Sequence, residues 1–128
     1  MVILDTCVLL WLADRQECIS DPARSIIRQQ AGALHISAIS AFEIAVKFHS
    51  KKLSLPLPPL DWFKRAVKLH GLHEIPVTSE LAAFSAGLNK RHNDPCDRII
   101  IASAIKFNCP VISPDRIFAE YPDVQTIW

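Results

Sequence analysis

The opening stretch MVILDTCVLLWLA, residues 1–13, decides how the rest of the chain is read. VIL (2–4) has no polar residue alternating with its apolar ones, as expected of a strand covered on both faces. Asp5 ends it, and TCVLLWLA (6–13) continues as a short helix. The stretch imitates a secretion signal, but no basic residue leads it and Asp5 interrupts it, so it reads as structure. Its apolar run CVLLWLA is far too short to span a bilayer.

The same strand-then-helix unit recurs along the chain. LHIS (34–37), HEIPV (73–77) and PVIS (110–113) read as strands, and VQTIW (124–128) as a short fifth. A helix over 22–31 is expected to start at Asp21-Pro22, with Asp as N-cap and Pro at its first position. SAISAFEIAVKFHSK (37–51) is a helix capped by Ser37 or Ser40, and DWFKRAVKLHG (61–71) one that Gly71 stops. Thr78 caps TSELAAFSAGLNK (78–90), and Asp94-Pro95 opens the apolar helix that runs through RIIIASAIKF to Phe107. The proline-rich LSLPLPPLD (53–61) connects two helices. This alternation predicts one α/β domain over 1–128 with a mainly parallel sheet.

Composition agrees with that reading. Of 128 residues, 50% are hydrophobic and 21% charged, which argues for a compact fold and against disorder. A net charge of +1 does not announce a nucleic-acid binder. The basic clusters Lys47/Lys51/Lys52, Lys64/Arg65/Lys68 and Lys90/Arg91 read as solvated helix faces. Cys7, Cys18, Cys96 and Cys109 form no CxxC or zinc-like pair, so free thiols are expected and the cytoplasm is the default location.

Sites in parallel sheets form beyond the carboxyl ends of the strands. Asp5 follows VIL there, and Asp115 follows VISP. Asp5 is either the N-cap of its helix or a bound carboxylate, since a buried charge needs a partner. Glu43 fits a capping box with Ser40, yet it borders the apolar stripe Ile39, Phe42, Val46. Asp94 before Pro95 is a natural N-cap. Asp97 shares a helical face with Ile100, Ile101 and Ala104, which directs it inward. Two carboxylates about 4 Å apart repel by roughly 4 kcal/mol at an effective dielectric near 20, so a cluster of four needs protons or a cation. Oxygen-only ligation suits Mg²⁺ or Mn²⁺, which assist phosphodiester hydrolysis by activating water and neutralising charge on the phosphoryl oxygens.

MVILDTCVLLW, ISAISAFEIAVK, DPCDRIIIASA and VISPDRIFAEYPDVQTIW, in that order, closely resemble the PIN-domain family, and within it the VapC-type toxins of type II toxin–antitoxin pairs. The resemblance covers essentially the whole chain. It implies a three-layer α/β/α fold and a Mg²⁺- or Mn²⁺-dependent endoribonuclease, with Asp5, Glu43, Asp97 and Asp115 as its acidic residues. It also implies Ser113 as a hydroxyl that orients water, Thr6 as the small polar residue after the first Asp, and Asp94 as a cap beside the metal site. Arg98 is read either as a contact to RNA or antitoxin or as half of a structural ion pair, and Lys47 as a contact to RNA or antitoxin. A cognate VapB-like antitoxin and a homodimer are expected partners. Cys96 stands where the family usually has an aromatic residue, Phe42 where Trp is common, and Cys7 where His is frequent; none of these removes a carboxylate.

Three rivals are weighed against this reading. A haloacid-dehalogenase-like phosphatase needs a second Asp two positions after the first, where Cys7 stands. A PIN nuclease of RNA processing and a silent partner-binding module share the motifs, the latter without using its four acids.

Overall fold

The computed structural model describes residues 1–89 and 93–128. The Lys90/Arg91 cluster, read above as a solvated helix face, lies outside the described residues, as does His92. Five strands, β1 (Val2–Leu4), β2 (Leu34–Ser37), β3 (His73–Ile75), β4 (Val111–Ile112) and β5 (Thr126–Ile127), form one sheet in the order β3-β2-β1-β4-β5. Every pairing is parallel. Among the described residues there are six α-helices, α1 (Thr6–Asp14), α2 (Asp21–Gln29), α3 (Ile39–His49), α4 (Pro59–Leu69), α5 (Ser79–Ala86) and α6 (Pro95–Phe107).

Both faces of the sheet are covered, as its unalternating strands require. Val2, Leu4, Leu34, Ile36 and Ile112 pack with Val8, Leu9, Leu12, Ile44 and Phe63 from α1, α3 and α4. Ile3 and Val111 point the other way, onto Ile100, Ile101 and Ala104 of α6 and onto Phe118 and Tyr121. The result is three layers, α/β/α. The chain order reverses at β1, which has β2 on one side and β4 on the other. That switch point opens a crevice at the carboxyl ends of β1 and β4.

Most helix signals act as their chemistry predicts. Thr78 accepts from Leu81 N–H at 3.2 Å, and Asp94 accepts from Cys96 N–H at 2.9 Å. At the end of α4, Gly71 takes φ 62, and Gly71 and Leu72 donate back to the carbonyls of Lys68 and Val67. Two caps differ from expectation. α2 begins at Asp21, and Ser20 is its N-cap, accepting from Ala23 N–H; Pro22 occupies the second position of the helix, where a missing N–H also costs nothing. At α3 the N-cap position is Ala38, with helical backbone angles; Ser37, one residue earlier, accepts from Ile39 N–H at 3.2 Å, and Ser40 lies inside the helix. β3 ends at Ile75, because Pro76 has no N–H to continue the ladder.

Candidate active site

Asp5 is the first residue beyond β1 and is buried. Its backbone N–H donates to Ile112 O, locking it beside the end of β4. Its carboxylate accepts from Thr6 N–H at 2.7 Å on Oδ1 and from the Ser113 hydroxyl at 2.7 Å on Oδ2. The Cys7 thiol reaches Oδ2 at 3.5 Å. So Asp5 is at once the cap of α1 and the floor of a cavity. Ser113 in turn accepts from Asp115 N–H at 3.0 Å, and Asp115 accepts from Ile117 N–H at 3.0 Å, starting a 3-10 turn over Arg116–Glu120.

A second polar chain reaches Glu43 from α1. The Thr6 hydroxyl donates to Glu43 Oε1 at 2.8 Å and lies 2.8 Å from Ser40 Oγ. Thr6 has one hydroxyl proton and spends it on Glu43, so Ser40 is the donor to Thr6. Ser40 is therefore tied across to α1 and not to the start of its own helix.

The cavity, about 360 Å³, is lined by Asp5, Thr6, Cys7, Glu43, Lys47, Asp94, Asp97, Pro114 and Asp115. Carboxylate oxygens of Glu43, Asp94 and Asp97 lie within 4.8 Å of one another. Asp94 thus caps α6 with one oxygen while standing in the carboxylate cluster. Asp97, at the third position of α6, is held on that buried helix as its facing Ile100 and Ile101 require.

The crowding shows in the acidities. Burial pushes Glu43 up to about 7, the Thr6 bond holds it back, and the charges of Asp97, Asp5 and Asp94 add to the rise. Burial also raises Asp5, against the bonds from Ser113, Thr6 and Cys7 and with the charge of Asp115. Both neighbouring thiols are pushed up, Cys96 to about 12, chiefly by burial. These are protonated thiols, unlike the activated thiolate of a cysteine nucleophile.

The PIN domain profile matches residues 2–124. The chain belongs to the PIN domain family. It is 28% identical to Ribonuclease VapC22 of Mycobacterium tuberculosis over 99% of this chain and 98% of that protein. Among solved structures, it resembles VapBC2 from Rickettsia felis bound to a DNA fragment from its promoter, with a TM-score of 0.70 and 16% identity over 98% and 97% of the two chains. It also resembles a toxin–antitoxin complex from Klebsiella pneumoniae, with a TM-score of 0.67 and 21% identity over 97% and 95%. The fold is that of PIN domains, with its mainly parallel five-stranded sheet.

Within this PIN domain, the two cations singled out from sequence have different surroundings. Arg98 is 8% exposed, and its Nη2 donates to the carbonyls of Ser85, Ala86 and Leu88 at 3.0, 3.2 and 2.7 Å. It ties the last turn of α5 to the first turn of α6. Lys47, one helical turn beyond Glu43, is exposed at the cavity rim. Two further participants take roles that sequence did not assign them: Ser40, read as half of a capping box, is bonded to Thr6 once α1 and α3 pack together, and Cys7 turns its thiol back onto Asp5.

Proposed function

We propose that this PIN domain, spanning 1–128, is a VapC-like endoribonuclease toxin that hydrolyses RNA phosphodiester bonds with Mg²⁺ or Mn²⁺. The observation that carries the reading is the gathering of Asp5, Glu43, Asp94, Asp97 and Asp115 around one cavity at the switch point of the sheet. The donor set fits a hard divalent ion: it is all oxygen, and Glu43 is raised first by burial and then by the charges of Asp97, Asp5 and Asp94 around it. Asp5, Glu43, Asp97 and Asp115 would hold the ion, with Asp94 beside them. When bound, it supplies activated water for attack on phosphorus and offsets the charge that develops there. The protein's own part is positional. Ser113 and Thr6 N–H fix Asp5, the Ser40–Thr6 pair aims Glu43, and α6 carries Asp97.

The names of its relatives support the biological setting, a ribonuclease in one case and toxin–antitoxin complexes in others. On that basis a cognate VapB-like antitoxin would restrain the enzyme in the cytoplasm, and two copies would pair. Among the described residues no helix is long and apolar enough to cross a membrane. The deciding experiment is cleavage of a panel of RNAs with Mg²⁺ titrated, comparing wild type with Asp5→Asn and Asp97→Asn. Folded variants that cut as fast as wild type would overturn the assignment.

A further inference from the structure

Helix α3 begins in the acidic cavity and ends in a basic one. Between Glu43 and Asp61 the chain carries no acid, while Lys47, Lys51 and Lys52 follow at successive turns. All three are exposed, and among the described residues none makes an ion pair. Lys47 borders the carboxylate cavity. Beyond it lies a shallow concavity lined by Phe48, His49, Lys51, Lys52, Leu53 and Ser54, in which the Phe48 and His49 rings meet edge to face.

The backbone at Lys51 is an independent sign. Lys51 and Lys52 donate to the carbonyls of Phe48 and Lys47, the same closing pattern that ends α4, where the left-handed residue is Gly71. After α2 the left-handed residue is Gly32, and at the end of α6 it is Asn108. Only at α3, among the described residues, is it a lysine, with φ 60. A residue with a side chain is strained there, and strain that persists points to a use for the side chain.

We propose that Lys47, Lys51 and Lys52 form a phosphate track for the single-stranded RNA that flanks the scissile bond, with Phe48 and His49 offering ring faces to its bases. The proposal rests on the nuclease reading and adds the path by which the substrate leaves the carboxylates. Basic side chains beside accessible rings, here the exposed His49 and the half-buried Phe48, are the pattern that binds single strands without reading sequence. The track also offsets the repulsion between RNA and five carboxylates, because Lys47 lines their cavity and Lys51, four residues on, lines the concavity that follows.

The test is fluorescence anisotropy of a labelled single-stranded RNA in EDTA, so that binding is read without cleavage, over a range of salt. Lys51→Gly together with Lys52→Ser is compared with Lys64→Ser/Lys68→Ser on α4 as a control of equal charge change. The track predicts severalfold weaker binding for the first pair, with the log–log salt slope reduced by about 1.4, or about 0.7 per phosphate contact. The control keeps the wild-type slope. Lys51→Gly alone should melt no lower than wild type, since glycine relieves the left-handed position, yet still bind RNA less well. Equal losses in both pairs, or none in the first, overturn the track. So does a first pair that binds RNA normally but loses an acidic peptide, which would make the concavity a protein-docking site. Wild-type protein that binds RNA along this track yet cuts none with Mg²⁺ or Mn²⁺ would sink the nuclease reading alone.

Discussion

Ser113 Oγ donates to Asp5 Oδ2 at 2.7 Å across 108 positions of sequence, joining the ends of the two central strands through one buried hydroxyl. The same oxygen accepts from Asp115 N–H, so it aligns both acids. Ser113→Ala leaves a buried carboxylate short of a donor and should cost about 1–3 kcal/mol, measured by urea unfolding. It should also lower cleavage, whereas Ser113→Thr keeps the hydroxyl and most of both. An alanine variant as stable and active as wild type would show that this bond does no positioning.

Thr6 gives a second handle. Thr6→Val keeps the shape but removes the donor to Glu43 and the acceptor for Ser40. Glu43 should then be harder to ionise, and apparent Mn²⁺ affinity, read by calorimetry at neutral pH, should fall. Thr6→Ser should restore it. Equal affinities for the valine and serine variants would contradict the relay.

The acidity of Glu43 sets a pH dependence whose sign is opposite to that of a salt-bridged carboxylate. Its ordinary value is 4.5, and in the fold it stands at about 7, so between these values the native state holds more proton than the unfolded chain. The stability it contributes is fully present below 4.5 and is lost as pH rises through about 7. Asp5 is raised too and acts in the same direction. Metal-free protein should therefore melt lower at about pH 8 than at about pH 5, with Glu43→Gln flattening that fall and Mn²⁺ reversing it. Scanning calorimetry of both proteins with and without metal checks this.

Asp94 does two jobs that one substitution can separate. Asparagine caps a helix about as well as aspartate, so Asp94→Asn should keep stability and lose only charge in the cluster. Asp94→Ala should also lose the cap, at about 1 kcal/mol. If Asp94→Asn binds Mn²⁺ as wild type does, Asp94 serves only the helix.

Arg98 should behave as structure. Arg98→Ala strips three carbonyls at the end of α5 of their donor, at a cost of roughly 2–4 kcal/mol by unfolding. Its RNA affinity, measured below its melting temperature, should change little.

Much of this architecture was legible because it depends on local chemistry. Unalternating apolar strands ending in Asp5 and near Asp115, the Thr78 and Asp94-Pro95 caps, and the stop at Gly71 are set within a few residues. What sequence did not disclose depends on packing. Ser20 and Asp21 are both good caps ahead of Pro22, and local chemistry does not choose between them. Ser40 and Glu43 match a capping box, but the tertiary bond through Thr6 takes both side chains. Arg98 looks like any surface cation until α5 and α6 close over it. Nothing in the sequence marks Lys51 as left-handed.

The wiring of the sheet has a consequence for synthesis. β1 is made first, yet one of its two neighbours, β4, follows more than 100 residues later, and the cavity closes only with Ser113 and Asp115. A parallel sheet cannot anticipate such a partner, because non-local pairing waits for the chain to arrive. A growing chain that has not yet passed Asp115 therefore lacks the Ser113 bond to Asp5 and one of the carboxylates that line the cavity. On the proposed nuclease reading, the site would be completed only as the last strands of the sheet are made.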